Sequence, residues 1–397
     1  MEDIANIVDR LVDGTDDVVS PELLAQKLEK SRNTGIPLTV KLGVDPTAPD
    51  IHLGHTVVME KLRQFQELGH VVVFLIGDMT GRIGDPTDRA ATRKQLSKDD
   101  VDQFARTYIE QAKSILQSQR LQVRYNSEWL QSLQLANLID LLSHLTLARI
   151  LERDDFHKRF DEHVPIHLHE LLYPLMQGYD SVALKADVEL GGTDQRFNIM
   201  TARQVQEAYG LEPEVGIFMP LLEGTDGIRK MSKSQGNHIG ISEPASDMYG
   251  KVMSIPDGLI PRWAHLLFGL DPEQWKLRLT EENPRDVKAE LALRIVGRFW
   301  GEEAAHTASE EFSRTFSQRE VPSEMPAVRL VKSPWEVSAI ELVANLPHIA
   351  SRQEARRFLL QGAVVLNDQR LTLEQRVVVA AGDWIRVGRR RYYRFEE

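Results

Sequence analysis

His52 and His55 stand three residues apart with Gly54 between them. A His-x-Gly-His turn that opens a helix offers two imidazoles, free backbone amides and the positive end of the helix dipole, a combination suited to polyphosphate. Gly54 leaves room for a base or ribose to pack against the backbone. Taken alone, the pair is also compatible with ordinary histidines or half a metal site. Further along, Lys230-Met231-Ser232-Lys233-Ser234 is flanked by Gly224, Gly227 and Gly236, so the loop can move. Two lysines beside hydroxyls can neutralise the charge that develops on a departing pyrophosphate. In isolation a solvated basic loop would read the same way. Between these motifs, Tyr173, Gln177 and Asp180 fall at i, i+4 and i+7, on one face of an otherwise apolar helix. A buried carboxylate and amide need partners or cost several kcal/mol, roughly, which points to a polar ligand. Local salt bridging is the plainer alternative.

These groups need elements to hold them. Leu38–Val44 reads as a strand, Leu53–Leu68 as a helix, and Val71–Ile76 as a fully apolar strand, together a βαβ unit of a parallel sheet. Ligands of such sheets sit beyond the carboxyl ends of the strands. Asp45 follows the first strand there, and Gly77–Gly81 and Gly84-Asp85-Pro86 follow the second. Helices are expected over Val101–Gln117, Leu133–Leu151, Leu168–Leu184 and Asp194–Tyr209, with strands at Leu121–Tyr125, Asp187–Leu190 and Val215–Pro220. Residues 152–160 are densely charged and read as surface. From Ser242 to about Ser317 the pattern is helical without strands. Pro322, Pro326 and Pro334 mark a linker. Beyond them, strands at Ala363–Leu366, Arg376–Val379 and Trp384–Val387 accompany one basic helix, Gln353–Leu360.

The expected fold is therefore α/β, a Rossmann-like catalytic domain over 1–240 with an inserted helical region at about 127–160. A helical domain (241–320), a linker (321–334) and a small α+β domain (335–397) follow. A chain of 397 residues is long for one core. It has no cysteine, which excludes disulfides, thiolate metal sites and cysteine nucleophiles. The N-terminus does not read as a signal peptide, and the longest apolar run near it is too short to cross a bilayer, so the expectation is a cytoplasmic protein with no membrane partner. The net charge of −11 argues against nonspecific nucleic-acid binding by the whole chain. Residues 351–397, however, carry ten arginines, no lysines and six acids. A basic tail on an acidic body suggests one module that meets RNA or DNA.

The two signatures, in this order, resemble those of the class I aminoacyl-tRNA synthetases. The helix carrying Tyr173, Gln177 and Asp180 resembles the tyrosine pocket of the bacterial tyrosyl enzymes. That resemblance implies that Asp180 accepts a hydrogen bond from the substrate phenol. It also implies that Tyr173, Gln177 and Asp85 hold the substrate ammonium. Gly191-Gly192-Thr193-Asp194-Gln195 is similar to the family's Gly-Gly-Ser/Thr-Asp-Gln turn. Asp194 would hold the ATP ribose, with Gly192 beside it, and Gln195 would lie near the tyrosine and its carboxylate. Asp45 and Thr47 match positions near the adenylate and the phosphates. His52, Gly54 and His55, with Lys230, Met231, Ser232, Lys233 and Ser234, would line the ATP site.

Lys41 is a departure from the pattern. It stands, near Gly43 in the first strand, where many members place a tyrosine that also touches the substrate hydroxyl, and its closeness to Asp180 suggests an ion pair. The C-terminal stretch resembles a small RNA-binding domain of the bacterial tyrosyl enzymes, with Arg352, Arg356 and Arg357 towards RNA. The resemblance covers essentially the whole chain. It implies ATP and L-tyrosine as substrates, Mg2+ arriving with ATP and no structural metal, tRNA(Tyr) as partner, a homodimer built through Ser127–Leu151, and no editing domain. A tryptophanyl enzyme, a small-molecule adenylyltransferase and an RNA-binding protein with an inactive nucleotide fold are the rival readings.

Overall fold

The computed structural model describes residues 3–46, 50–85, 97–316, 325–330, 332–349, 351–388 and 391–396. Contacts divide the chain into two compact units, 1–306 and 307–397.

The first unit is built on a six-stranded sheet: β1 (Asp17–Val19), β2 (Thr39–Val44), β3 (Val71–Ile76), β4 (Leu121–Tyr125), β5 (Val188–Gly192) and β6 (Val215–Met219). The order is β1-β6-β5-β2-β3-β4. All neighbours are parallel except β1, which runs antiparallel to β6 along the edge. Sequence reading missed β1 because three residues carry no periodicity. Going outward from β2, the chain first adds β3 and β4 on one side, then returns to add β5 and β6 on the other. The order therefore reverses between β2 and β5, and in doubly wound sheets a ligand crevice opens at that reversal, beyond the carboxyl ends. Strand β3, with both neighbours in place, is apolar at every position, as burial on both faces requires.

Three helical expectations change. The helix expected to begin at Leu168 begins at Tyr173, with Pro174 in its first turn where the missing N–H costs nothing. The expected Leu133–Leu151 helix is broken into Leu135–Ser143 and Leu147–Leu151. Thr146 accepts from the Arg149 N–H and so starts the second piece. Residues 154–161 form a helix that is not all surface: Phe156 and Arg159 are buried, with Arg159 held by Glu170 at 2.7 Å. Amphipathic spacing inside a charged run hides such a face from composition. From Ala245 to Trp300 the described residues form helices joined by short connections, with no strand among them, as expected.

The second unit is α+β. Its five-stranded sheet has the order β10-β9-β12-β13-β7, from Gln369–Arg370, Val364–Leu366, Trp384–Val387, Arg391–Glu396 and Ala327–Arg329. A two-stranded sheet pairs β8 (Trp335–Ser338) with β11 (Arg376–Val379). Strand β7 lies inside the stretch read as linker; it pairs with β13, whose alternating Tyr393 and Phe395 enter the core. Ala355 and Leu359 of the helix Arg352–Leu360 pack into the same core.

Candidate active site

The histidine turn follows β2, and His52 is the N-cap of the helix Leu53–Glu67, in extended conformation. Its backbone N–H donates to His55 Nδ1 at 3.2 Å. That bond makes Nδ1 the acceptor and leaves the ring proton of His55 on Nε2. The two rings lie 3.9 Å apart. Burial pushes His55 down to about 4, with Lys233 adding to the effect. Burial also takes His52 well below the usual range, with His55 and the nearby lysines contributing. Both imidazoles are therefore neutral near pH 7 and act as hydrogen-bonding groups rather than cations. His52 Nδ1 is buried with no hydrogen-bond partner among the described residues. Gly54 has a second use: a Cβ there would sit 3.1 Å from the His52 ring, tighter than the ring tolerates without shifting.

The lysine loop is fastened to this turn. Ile239 and Ile241 flank a bridge between Gly240 and His52, with Leu53 N donating to Ile239 O at 2.9 Å and Ile241 N to Ile51 O at 3.0 Å. Asn237, buried, organises the loop from inside. Its Oδ1 accepts from Ser232 N at 2.8 Å, and its Nδ2 donates to Asp226 and to Lys230 O, each at 3.1 Å. Lys230 donates to Asp194 at 2.9 Å, and Lys233 lies 3.5 Å from Asp50. Each ammonium thus rests on a carboxylate.

The helix Tyr173–Leu184 brings in the third group. Asp180 is buried and accepts from Trp129 Nε1 at 2.7 Å and Asn126 Nδ2 at 3.3 Å. Burial raises its carboxyl to about 7, against the pull of Lys41 and these two donors. The Tyr173 hydroxyl donates to Asp45 at 3.0 Å, and Thr80 donates to the other oxygen of Asp45 at 2.8 Å. Gly77 leaves space for this cluster, since a Cβ there would fall 2.1 Å from Asp45 Oδ1. Asp85 accepts from Gln195 at 2.7 Å and Arg153 at 2.9 Å. Arg153 also donates to Asn198, which donates back to Gln195, closing a ring of four.

Sequence reading missed Arg153, Asn126 and Trp129. Arg153 sat in the run read as surface. Asn126 directly follows β4, so the rule about strand carboxyl ends would have flagged it. Nothing local marks Trp129.

Lys41 behaves differently from its expectation. It is fully buried and pairs with Glu189 at 3.0 Å, its neighbour across the β2–β5 register, not with Asp180. Its side chain does not line the cavity. Lys41 shares its strand face with Gly43 but lies two residues deeper in β2, where Glu189 and, on the Tyr173–Leu184 helix, Ser181 engage its ammonium away from the cavity wall.

The cavity has a volume of about 670 Å3, in the range of small-molecule sites. It is lined by Gly43, Asp45, His52, Gly54, His55, Asp85, Tyr173, Gln177, Asp180, Gly192, Asp194, Gln195, Lys230, Met231, Ser232, Lys233 and Ser234. Residues 173–195 and the two signature motifs therefore share one space at the β2–β5 reversal. Thr47 lies outside the described residues. Arg352, Arg356 and Arg357 are exposed on the helix of the second unit.

The family model described as "tRNA synthetases class I (W and Y)" matches residues 33–317. Curated relatives include the tyrosine–tRNA ligase of Geobacter sulfurreducens, 48% identical over 387 residues and covering 96% of both chains. That of Thermotoga maritima is 47% identical over 384 residues, covering 95% of this chain and 94% of its own. Among solved structures, the tyrosyl-tRNA synthetase of Aeropyrum pernix aligns with a TM-score of 0.62 at 23% identity, over 78% of this chain and 98% of its own. A C-terminally truncated mitochondrial tyrosyl-tRNA synthetase of Aspergillus nidulans gives 0.64 at 21%, over 80% and 95%. At those identities the structures speak to the fold, while the curated relatives speak to the family. The chain belongs to the tyrosine–tRNA ligases, within the class I tRNA synthetases.

Proposed function

We propose that this cavity activates L-tyrosine with ATP and that the chain then transfers the tyrosyl group to the 3′-terminal adenosine of tRNA(Tyr). The observation that carries the reading is the convergence of His52/His55, Lys230/Lys233 and the Asp180 helix on one cavity.

The substrate carboxylate attacks the α-phosphorus in line, an oxygen–phosphorus bond forms, and pyrophosphate leaves. A ribose hydroxyl of the tRNA then attacks the carbonyl of tyrosyl adenylate and AMP leaves. A carboxylate needs no base, so the protein's work is positioning and charge stabilisation. His52 and His55, with Thr47, donate to the phosphates as neutral groups. Lys230 and Lys233 leave Asp194 and Asp50 to close over the β- and γ-phosphates, which frees Asp194 for the ribose. Asp180 reads the phenol; Tyr173, Gln177 and Asp85 meet the ammonium, with Gln195 near the carboxylate. Mg2+ comes in with ATP, held by phosphate oxygens and water.

Residues 241–320 would bind the anticodon and 335–397 would contact tRNA through Arg352, Arg356 and Arg357. The cytoplasm is the proposed compartment; among the described residues no helix is long and apolar enough to cross a membrane. Pyrophosphate exchange into ATP tests the activation step. Exchange is expected with tyrosine, and exchange with tryptophan alone would overturn the reading.

A two-fold homodimer through the inserted helices is supported by Leu135, Ile139 and Leu147, all more than half exposed on that region. Exposed apolar side chains grouped in this way mark association surfaces. Ile139→Glu is expected to shift the mass measured by light scattering from dimer to monomer. A wild-type monomer at micromolar concentration would exclude this interface.

A further inference from the structure

Beneath the Tyr173–Leu184 helix lies a set of buried ionisable groups, Lys41, Glu189 and Glu214, of which Glu189 reaches the cavity wall. Lys41 Nζ is 3.0 Å from Glu189 Oε1, 2.6 Å from Ser181 Oγ and 3.5 Å from the Gln177 carbonyl. Ser181 Oγ in turn lies 3.1 Å from Glu214 Oε1. Lys41, Glu189 and Glu214 are each at most 1% exposed. Burial, reinforced by Glu189, holds the Glu214 carboxyl well above the usual range. The direct ion pair in the set is the one between Lys41 and Glu189. Such a pair does not by itself argue for stability, because hydrophobic residues of similar volume often serve as well. A role in specificity is the alternative.

The contact that gives it one is Gln177. Its Nε2 donates to Glu189 Oε1 at 3.0 Å. An ionised carboxylate only accepts, so it dictates which end of the Gln177 amide turns inward. The NH2 must face Glu189, and the carbonyl Oε1 is left towards the cavity that Gln177 lines. A protonated or amidated residue 189 could donate as well, and either orientation of Gln177 would then be satisfied. An ammonium entering the cavity needs an acceptor, and an NH2 in that place would repel it.

We propose that Lys41 is a positioning residue for amino-acid recognition: by keeping the buried Glu189 ionised, it locks the Gln177 amide with its oxygen towards the substrate ammonium. This rests on the reading that Gln177 meets that ammonium. The lysine that replaces a hydroxyl-bearing residue in β2 therefore serves the amino end of the substrate, not its phenol.

The test is pyrophosphate exchange by Lys41→Met, together with inhibition by 3-(4-hydroxyphenyl)propionate, which keeps the phenol and carboxylate but has no ammonium. Losing a hydrogen bond to a charged group corresponds to about tenfold or more. KM for tyrosine is therefore expected to rise by about that factor, while KM for ATP and the inhibition constant of the des-amino compound stay the same. A general loosening of the fold would weaken tyrosine and the des-amino compound together, and that result, or no change in either, overturns the proposal. Should Lys41→Met not fold, the neutral double variant Lys41→Met/Glu189→Gln removes the orphaned charge. It is expected to fold with the same selective loss of tyrosine, and normal tyrosine affinity in it would also overturn the proposal. Gln177→Ala separates the two layers. If it leaves KM for tyrosine unchanged, the underlying assignment of Gln177 fails; if it raises KM and the Lys41 variants do not, only the positioning role fails.

Discussion

Asp180→Asn is expected to lose about 10- to 100-fold of the discrimination between tyrosine and phenylalanine in kcat/KM, the difference a charge-assisted hydrogen bond makes. Hydroxyl-reading sites reject the deoxy analogue by about 10⁴–10⁵, a range for which the tyrosine enzyme of this family is itself the standard example. The geometry explains why asparagine does not substitute. Trp129 and Asn126 both donate to the Asp180 carboxylate, and the phenol would be a third donor. An ionised carboxylate has lone pairs for all three, whereas an amide has one oxygen and an NH2 that must face one of the donors. An unchanged tyrosine-to-phenylalanine ratio would reject the role given to Asp180. The same residue predicts a pH dependence. Its carboxyl is raised to about 7, so it is largely protonated below that pH and ionised above it. At saturating ATP, kcat/KM for tyrosine should therefore climb from pH 6 to 8 with a midpoint near 7, and Asp180→Asn should flatten the climb. A wild-type profile flat over that range would contradict it.

Lys233→Ala and His55→Ala are each expected to slow adenylate formation by about a hundredfold or more. Removing one preorganised donor from a developing charge costs roughly 3–4 kcal/mol of barrier. The loss should appear in the rate of exchange with KM for tyrosine little changed, because neither side chain belongs to the amino-acid end of the cavity. Equal losses in KM for tyrosine would show that they act by holding the pocket together. The two residues differ in charge. His55 is held down to about 4 by burial, so it is already deprotonated at pH 6.5 and has no proton to lose above it. With tyrosine saturating, kcat/KM for ATP should not fall as pH rises from 6.5 to 8. A fall through 6.5 would mean that the imidazoles work as cations.

Much of this site is written in local sequence. His52, Gly54 and His55 are contiguous, the lysines sit in five residues, and Tyr173, Gln177 and Asp180 follow helical spacing, so each group could be recognised without knowing the fold. The β2–α–β3 unit was legible for the same reason, with periodicity of one kind or another in every piece. What escaped depends on distance in the chain. Lys41 meets Glu189 only because β2 and β5 become neighbours. Trp129 and Asn126 reach Asp180 across some fifty positions. Arg153 was concealed by the charges around it, of which Glu152, Asp154 and Lys158 are exposed. The broken Leu133–Leu151 helix shows the opposite failure, since apolar spacing continued through a break that Thr146 enforces. Buried charge is where sequence reading is weakest: a lysine in a strand gives no sign of which acid will be waiting for it.

The bridge between His52 and Gly240 has a mechanical meaning. The lysine loop is a flap sewn to the histidine turn, because its downstream border runs as a backbone ladder beside residues 51–53, while upstream a bridge between Glu223 and Lys230 closes it on itself. Any swing that carries Lys230 and Lys233 over a nucleotide must turn about that seam, and the histidines sit at the seam itself. The two halves of the phosphate grip therefore cannot drift apart as the flap moves. Variation in loop length would be absorbed upstream, around Gly224 and Gly227, whereas an insertion between Asn237 and Ile241 would slide one half of the grip past the other.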